Sequence, residues 1–221
     1  MRGLMVVNAF LRSTKFTDVY ETLRQSAQAR GIALSVVTNA EVCFAVQAPS
    51  ALAGFDFVLF WDKDVQLASQ LEQLGLPVFN SAESILRCDD KALTWLCLRK
   101  SELRMPKTIL LPKTFPAVGY PSLDFLDGTE AALGFPVVLK ECFGSFGQQV
   151  YLLDTLEALK QKVQSLAGTP MLMQELVRES YGRDARINVV GGRVVASMLR
   201  TGQNGDFRSN ITSGGTMEAY T

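Results

Sequence analysis

Apolar positions over the first eighty residues recur in two periods, and the two periods take turns. Leu4-Met5-Val6-Val7-Asn8 is a continuous apolar run closed by a polar residue, the pattern of a buried strand. Phe16 to Arg30 sets Val19, Leu23 and Ala27 at helical spacing, and Gly31 supplies the stop. Ala33 to Val37 and Phe55 to Trp61 predict two further strands, Asp64 to Leu74 a helix ended by Gly75, and Pro77-Val78-Phe79 a short fourth strand. Strand–helix alternation of this kind predicts a parallel sheet covered on both faces.

From Ser81 the texture changes. Asp89 to Leu103 predicts a helix carrying Leu93, Leu96 and Leu98, with Lys91 in its first turn and Pro106 beyond its end. Lys107 to Leu111 reads as a strand, and Ser122 to Leu133 as a helix. Gly134-Phe135-Pro136 then leads into a strand at Val137 to Lys140, a turn at Phe143-Gly144-Ser145-Phe146-Gly147, and a strand at Gln149 to Leu153. Leu156 to Leu166 predicts a helix and Met171 to Val177 a strand. Ala185 to Val190 and Arg193 to Leu199 predict a hairpin turned by Gly191-Gly192.

Composition narrows the chemistry. The 221 residues are 48% hydrophobic and 20% charged, the profile of a folded chain. Histidine is absent, which removes serine–histidine–aspartate triads, imidazole bases and imidazole metal ligands. Acid–base work falls to carboxylates, lysines, tyrosines or water. The 22 basic and 22 acidic side chains cancel, so no global field draws nucleic acid or an acidic membrane, and neither is expected as a partner. Cys43, Cys88, Cys97 and Cys142 form no C-x-x-C pair and are expected as small core residues in a reducing compartment. The first residues make no signal peptide and no run approaches a membrane span, so the expected location is the cytoplasm.

Several groups could carry chemistry. Lys140 ends an apolar strand beside a glycine-containing turn; charge and backbone amides together suit a polyphosphate, though an ordinary hairpin also places a surface lysine there. Gln174-Glu175-Leu176-Val177 closes a strand whose edge can pair with an adenine, or is simply a polar strand end. Between Gly182 and Asn210, Asp184, Arg186, Arg200 and Arg208 surround glycine pairs; arginine forks match phosphates and carboxylates, and the alternative is solvated charge on a hairpin. Asp62 and Asp64 follow a strand at the edge where open sheets bind ligands, with helix capping the expected role of Asp64. Asp89 and Asp90 read as helix-start residues.

Taken in order, these pieces resemble an ATP-grasp ligase of the RimK type. The string is Cys88-Asp89-Asp90-Lys91, Phe135-Pro136-Val137-Val138-Leu139-Lys140, Gly144-Ser145-Phe146-Gly147, Gln174-Glu175-Leu176-Val177 and Gly182-Arg183-Asp184-Ala185-Arg186. It continues with Val189-Val190-Gly191-Gly192, Arg200, Gly205-Asp206-Phe207-Arg208-Ser209-Asn210 and Gly214-Gly215. The likeness covers the last part of the chain, and the first eighty residues fit only the general pre-ATP-grasp pattern.

The resemblance implies an α/β protein of ATP-grasp architecture. A parallel-sheet pre-ATP-grasp domain would occupy 1–88, a linker helix and lid subdomain 89–177, and the start of a carboxyl-terminal subdomain 178–221. It implies that Lys91 and Lys140 hold nucleotide phosphates, under a mobile cover containing Gly144, Ser145 and Gly147. Glu175 and Leu176 would meet adenine through backbone, and Asp184 would face the ribose side. Arg208, Ser209 and Asn210 would line the triphosphate region, with Arg200 near an acyl phosphate; Arg200 and Arg208 are the implied catalytic pair. The implied reaction joins a carboxylate to an amine with ATP and releases ADP, and the addition of glutamate or another amino acid to an acceptor is one reaction of that kind.

Two departures accompany the likeness. Gln149 stands where related ligases often carry another glycine, which implies a stiffer cover. The family's magnesium carboxylates follow the Gly-Gly segment, where this chain carries only Glu218, so no metal ligand is assigned and the 221 residues are expected to be an incomplete and nearly inactive ligase. The alternatives are a nucleotide-binding module acting as regulator or scaffold, and an unrelated α/β binding protein.

Overall fold

The apolar run near the amino terminus forms β1 (Arg2–Val7), buried at every position but its first. It pairs in parallel with β2 (Ala33–Thr38) and β3 (Phe57–Trp61), and β3 pairs with β4 (Val78–Phe79), giving the order β2-β1-β3-β4. This is the parallel sheet that the alternation predicts. The computed structural model describes residues 1–11, 14–211 and 214–220, and the chain divides into two units, Met1–Asp89 and Asp90–Thr221.

In the first unit the sheet is joined by α1 (Thr14–Gln28), α2 (Asn39–Ala45), α3 (Val65–Gln73) and α4 (Ala82–Asp89). Leu4, Val6, Val58 and Phe60 pack with Val42 of α2, Leu67 and Leu71 of α3, and Ile85 of α4. Burying each such side chain contributes roughly 1.5–3 kcal/mol. Asp64 caps α3, its carboxylate accepting the Leu67 N–H at 3.0 Å. The periodicity reading misses α2, whose signal is a capping box. Thr38 Oγ1 accepts the Glu41 N–H at 3.2 Å while Glu41 Oε2 accepts the Thr38 N–H at 2.7 Å.

The helix expected over Asp89–Leu103 is shorter, α5 (Lys91–Leu98), and α4 before it, which ends at Asp89, is a helix the periodicity reading does not mark. Asp90 between them is extended (φ −83°, ψ 112°), and its carboxylate accepts the Ala92 and Leu93 N–H groups at 2.8 and 3.2 Å. The chain therefore restarts a helix at Asp90 rather than continuing one. After α5, the Ser101 hydroxyl takes the Leu98 carbonyl at 2.6 Å.

The second unit holds two antiparallel sheets. One is built from β5 (Thr108–Leu110), β6 (Val137–Glu141), β7 (Val150–Leu153) and β8 (Met171–Glu175) in the order β5-β8-β6-β7. The other is β9 (Arg183–Val190), β10 (Arg193–Thr201) and β11 (Thr216–Ala219), with β10 central. The β9–β10 turn falls at Gly191-Gly192 as expected. Strand β11 was not anticipated. Val137, Leu139, Met171 and Met173 project from one face of the first sheet onto Leu126 and onto Leu159 and Val163 of α7 (Leu156–Ser165).

The helix expected over Ser122–Leu133 shrinks to a 3-10 turn at Asp124–Leu126 and α6 (Thr129–Leu133). The buried Thr129 hydroxyl takes the Leu126 carbonyl at 2.6 Å, which a continuous helix would offer to the N–H of residue 130. The cysteines also depart from expectation. Cys142 is buried, but Cys43, Cys88 and Cys97 are exposed, because each lies on the outer side of its helix rather than in a core.

Candidate functional site

Alternation along β6 and β8 decides which side chains leave the core. Val137, Leu139, Met171 and Met173 point inward, so Val138, Lys140 and Gln174 take the opposite face, where they line a cleft of about 240 Å³. Lys140 Nζ donates to Gln174 Oε1 at 2.6 Å, and Gln174 Nε2 donates to Thr108 Oγ1 at 2.9 Å, a relay across β6, β8 and β5. Burial, and next the charge of Lys91, push the Lys140 ammonium below the ordinary lysine range.

The end of β8 forms one rim. Glu175 donates its N–H to the Lys107 carbonyl at 3.1 Å and accepts the Lys107 N–H on Oε1 at 2.8 Å. Leu176 and Val177 follow along the cleft.

The sheet of β9 and β10 supplies the other wall. Asp184 and Arg200 are direct cross-strand partners, and the guanidinium grips the carboxylate with Nε–Oδ1 at 2.7 Å and Nη2–Oδ2 at 2.5 Å. Ser209, itself buried, donates its hydroxyl to Asp184 Oδ2 at 2.6 Å. The Arg200 hydrogen bonds hold the Asp184 carboxyl below the usual range against the opposing effect of burial. The loop after β10 folds back onto β9: Gly202 N–H reaches the Gly182 carbonyl at 2.7 Å, and Gly182 N–H reaches the Phe207 carbonyl at 3.0 Å. Within that loop Arg208 forks onto Asp206 at 3.1 and 3.0 Å.

The turn between β6 and β7 is tied to the loop after β10 and to α5. Arg208 Nη1 donates to the Gly147 carbonyl at 3.1 Å, and Lys91 Nζ donates to the Cys142 and Gly144 carbonyls at 3.3 and 3.2 Å. The Ser145 carbonyl accepts the Gln148 N–H at 3.4 Å. Gly147 has φ +77°, and a Cβ there would collide with Asn210 Oδ1, so this turn approaches the Asn210 side chain only with glycine. Gln149 Oε1 lies buried against Gly144 with no hydrogen-bond partner among the described residues.

Of the residues singled out in the sequence, Lys140, Glu175, Leu176, Asp184, Arg208, Ser209 and Asn210 line this one cleft. Arg200 stands behind Asp184, and Lys91, Gly144, Ser145 and Gly147 belong to or hold the turn. Sequence reasoning missed Gln174 as a partner of Lys140 and Asp206 as the counter-ion of Arg208. For Gln174 a signal existed: it shares the alternation face of Lys140 across the β6–β8 pair.

Chemically the cleft is lined by the cations Lys140, Arg183 and Arg208, Arg208 being paired with Asp206, and by Asp184, whose charge Arg200 offsets, and Glu175, which holds the Lys107 N–H. That set fits an anionic, phosphate-rich ligand. It does not fit a metal ion: among the described residues no three His, Cys, Asp or Glu side chains gather where one could sit.

Residues 88–221 match the family described as the RimK-like ATP-grasp domain. An uncharacterised protein of Mycoplasma pneumoniae is 32% identical over 219 residues, covering 96% of this chain and 74% of that protein. A probable alpha-L-glutamate ligase of Parasynechococcus marenigrum is 35% identical over 157 residues, 69% of this chain but 32% of the ligase. Among solved structures, a RimK domain ATP-grasp protein of Sphaerobacter thermophilus superimposes with a TM-score of 0.70 at 22% identity, covering 96% of this chain and 77% of that one.

Proposed function

Because the chain belongs to the RimK-like ATP-grasp family, we propose that it serves an ATP-dependent ligase that joins a carboxylate to an amine. The observation that carries this reading is the single cleft lined by Lys140, Glu175, Leu176, Asp184, Arg208 and Asn210. Lys140 and Arg208, with Lys91 reaching from α5, hold the phosphates. The Glu175–Leu176 backbone meets adenine. Asp184 faces the ribose side and also anchors Arg200 and Ser209, and Ser209 and Asn210 line the triphosphate. The turn at Gly144, Ser145 and Gly147 covers them.

In the reaction a carboxylate oxygen attacks the γ-phosphorus of ATP and ADP departs. The amine nitrogen then attacks the acyl carbon, phosphate leaves with the bonding pair, and the proton shed by the nitrogen passes to the departing phosphate. Arg200 and Arg208 stabilise the charge that migrates during these steps, which is electrostatic work and needs no imidazole. The described residues supply no ligand set for magnesium, so no step here runs through a metal. The name of the Parasynechococcus relative supports glutamate as one of the joined molecules.

Binding and turnover are tested separately. ATP at 100 times its dissociation constant should stabilise the protein by about 2.7 kcal/mol, and Lys140→Ala should weaken ATP by about tenfold, ~1.4 kcal/mol. A protein that ATP does not stabilise would overturn the reading. ATP binding with no ADP release for any acid–amine pair would instead identify a regulator or scaffold.

A further inference from the structure

Thr108 does not line the cleft, yet one side chain alone separates it from Lys140. Strand register sets this up. Thr108 and Gln174 are direct partners across β5 and β8, and Gln174 stands opposite Val138, diagonal to Lys140 on β6. Diagonal side chains on an antiparallel pair meet when they are long, as glutamine and lysine both are.

The hydrogen bonds along this path run in one direction. Lys140 Nζ donates to Gln174 Oε1 at 2.6 Å, Gln174 Nε2 donates to Thr108 Oγ1 at 2.9 Å, and the Thr108 hydroxyl donates to the Pro106 carbonyl at 2.9 Å. The Thr108 proton is committed to Pro106, so its oxygen is left to accept from Gln174, and the amide turns its own oxygen to Lys140. A reversed amide would set an NH2 group against an ammonium, donor facing donor. The far end of the path rests on backbone. Glu175 donates its N–H to the Lys107 carbonyl at 3.1 Å and accepts the Lys107 N–H on Oε1 at 2.8 Å. These two bonds lie one residue from Gln174 and Thr108, and they keep the pair in register.

A lysine ammonium rides on a flexible four-carbon stem and has no fixed position of its own. Among the described residues the Lys140 ammonium makes one hydrogen bond, to Gln174. That bond uses one of three N–H groups, and the tetrahedral geometry at Nζ aims the other two away from Gln174. Lys140 lines the cleft, so those two donors are left for the oxygens of an occupant.

We propose that Thr108 and Gln174 are positioning residues for Lys140: the Thr108 hydroxyl fixes the Gln174 amide, and the amide fixes the ammonium where it meets the ligand's oxygens. That those oxygens belong to nucleotide phosphates rests on the reading of Lys140 above. The ordering of the lysine stem is then completed on folding, and binding is relieved of it.

The test is calorimetric titration of the whole chain with ATP, with a thermal melt of every variant. Thr108→Val keeps the shape of the side chain and removes the hydroxyl; it should weaken ATP about fivefold. Thr108→Ser restores the hydroxyl and should stay within about twofold of the unaltered chain. In a Lys140→Ala background Thr108→Val should change affinity by less than about twofold, because the group it acts through is gone. Gln174→Met, which keeps the length of the side chain without its amide, should weaken ATP at least as much as Thr108→Val, and adding Thr108→Val to it should do nothing more; this second cycle decides the matter if a Lys140 variant does not fold. An equal loss from Thr108→Val with and without Lys140 would mean that Thr108 only shapes the sheet, and would overturn the inference while the phosphate role of Lys140 stands. A serine variant as weak as the valine one, or a valine variant as tight as the unaltered chain, would overturn it too. Unchanged affinity in Lys140→Ala alone would instead overturn the phosphate role, and this inference with it.

Discussion

At the scale of single residues, the opposing demands on Lys140 are the most informative. Its ammonium is buried beside Gln174 and shares its surroundings with Lys91, so its native pKa falls below the unfolded value. Between those two values the unfolded chain binds more protons than the native one, and stability rises as pH rises through that window. A bound phosphate reverses the preference, because it favours the charged form. Nucleotide affinity should therefore fall as pH rises through the depressed native value, and Lys140→Arg, which stays charged, should flatten the profile; titrations across neutral to alkaline pH check this. Gly147→Ala forces a side chain to φ +77° and into Asn210. It should cost more than about 1 kcal/mol and weaken nucleotide binding, read by thermal melts and titration. Lys140, Asp184 and Arg208 were legible in the sequence because their neighbours in the chain repeat a family string. Gln174 carried a signal only through the alternation face it shares with Lys140 across the β6–β8 pair, and Asp206 gave none, because a carboxylate two residues from an arginine pairs with it only in a suitable loop conformation. The exposed cysteines were misjudged for a similar reason: a thiol's burial depends on which side of a helix it occupies, and the periods around Cys43, Cys88 and Cys97 are short.

At the scale of elements, strands were easier to read than helix ends. The β6 run Val137-Val138-Leu139 is apolar on both faces, since one side meets the core and the other the floor of the cleft, and it stands out at once. The start of α5 was legible, because Asp89 and Asp90 read as helix-start residues. Asp90 takes that role, its carboxylate satisfying the Ala92 and Leu93 N–H groups at the head of the helix. Asp90→Ala should cost about 1 kcal/mol and loosen the start of α5, measurable as faster amide exchange at Ala92 and Leu93. Strand β11 gave no signal because all four of its residues are exposed, leaving no alternation to detect. The short α2 is the opposite case: its capping box was present in the sequence as Thr38 and Glu41, three residues apart.

At the scale of the whole molecule, the two units differ in how their strands follow the chain. In the first unit every strand is complete before residue 80, and the sheet grows outward as β3 joins β1 and β4 joins β3. A chain ended at residue 168 should therefore keep its first unit, and limited proteolysis should release a resistant fragment of about the first 89 residues. The second unit should be digested in that shortened chain. Its sheet has the order β5-β8-β6-β7, with β8 between strands made long before it. During synthesis the β6–β7 hairpin can close by itself, but β5 has no sheet to join until residue 175 has emerged. Until then β6 and β5 each present an open backbone edge, so the cleft-forming half of the protein depends on protection by other means for the longest stretch of its own translation.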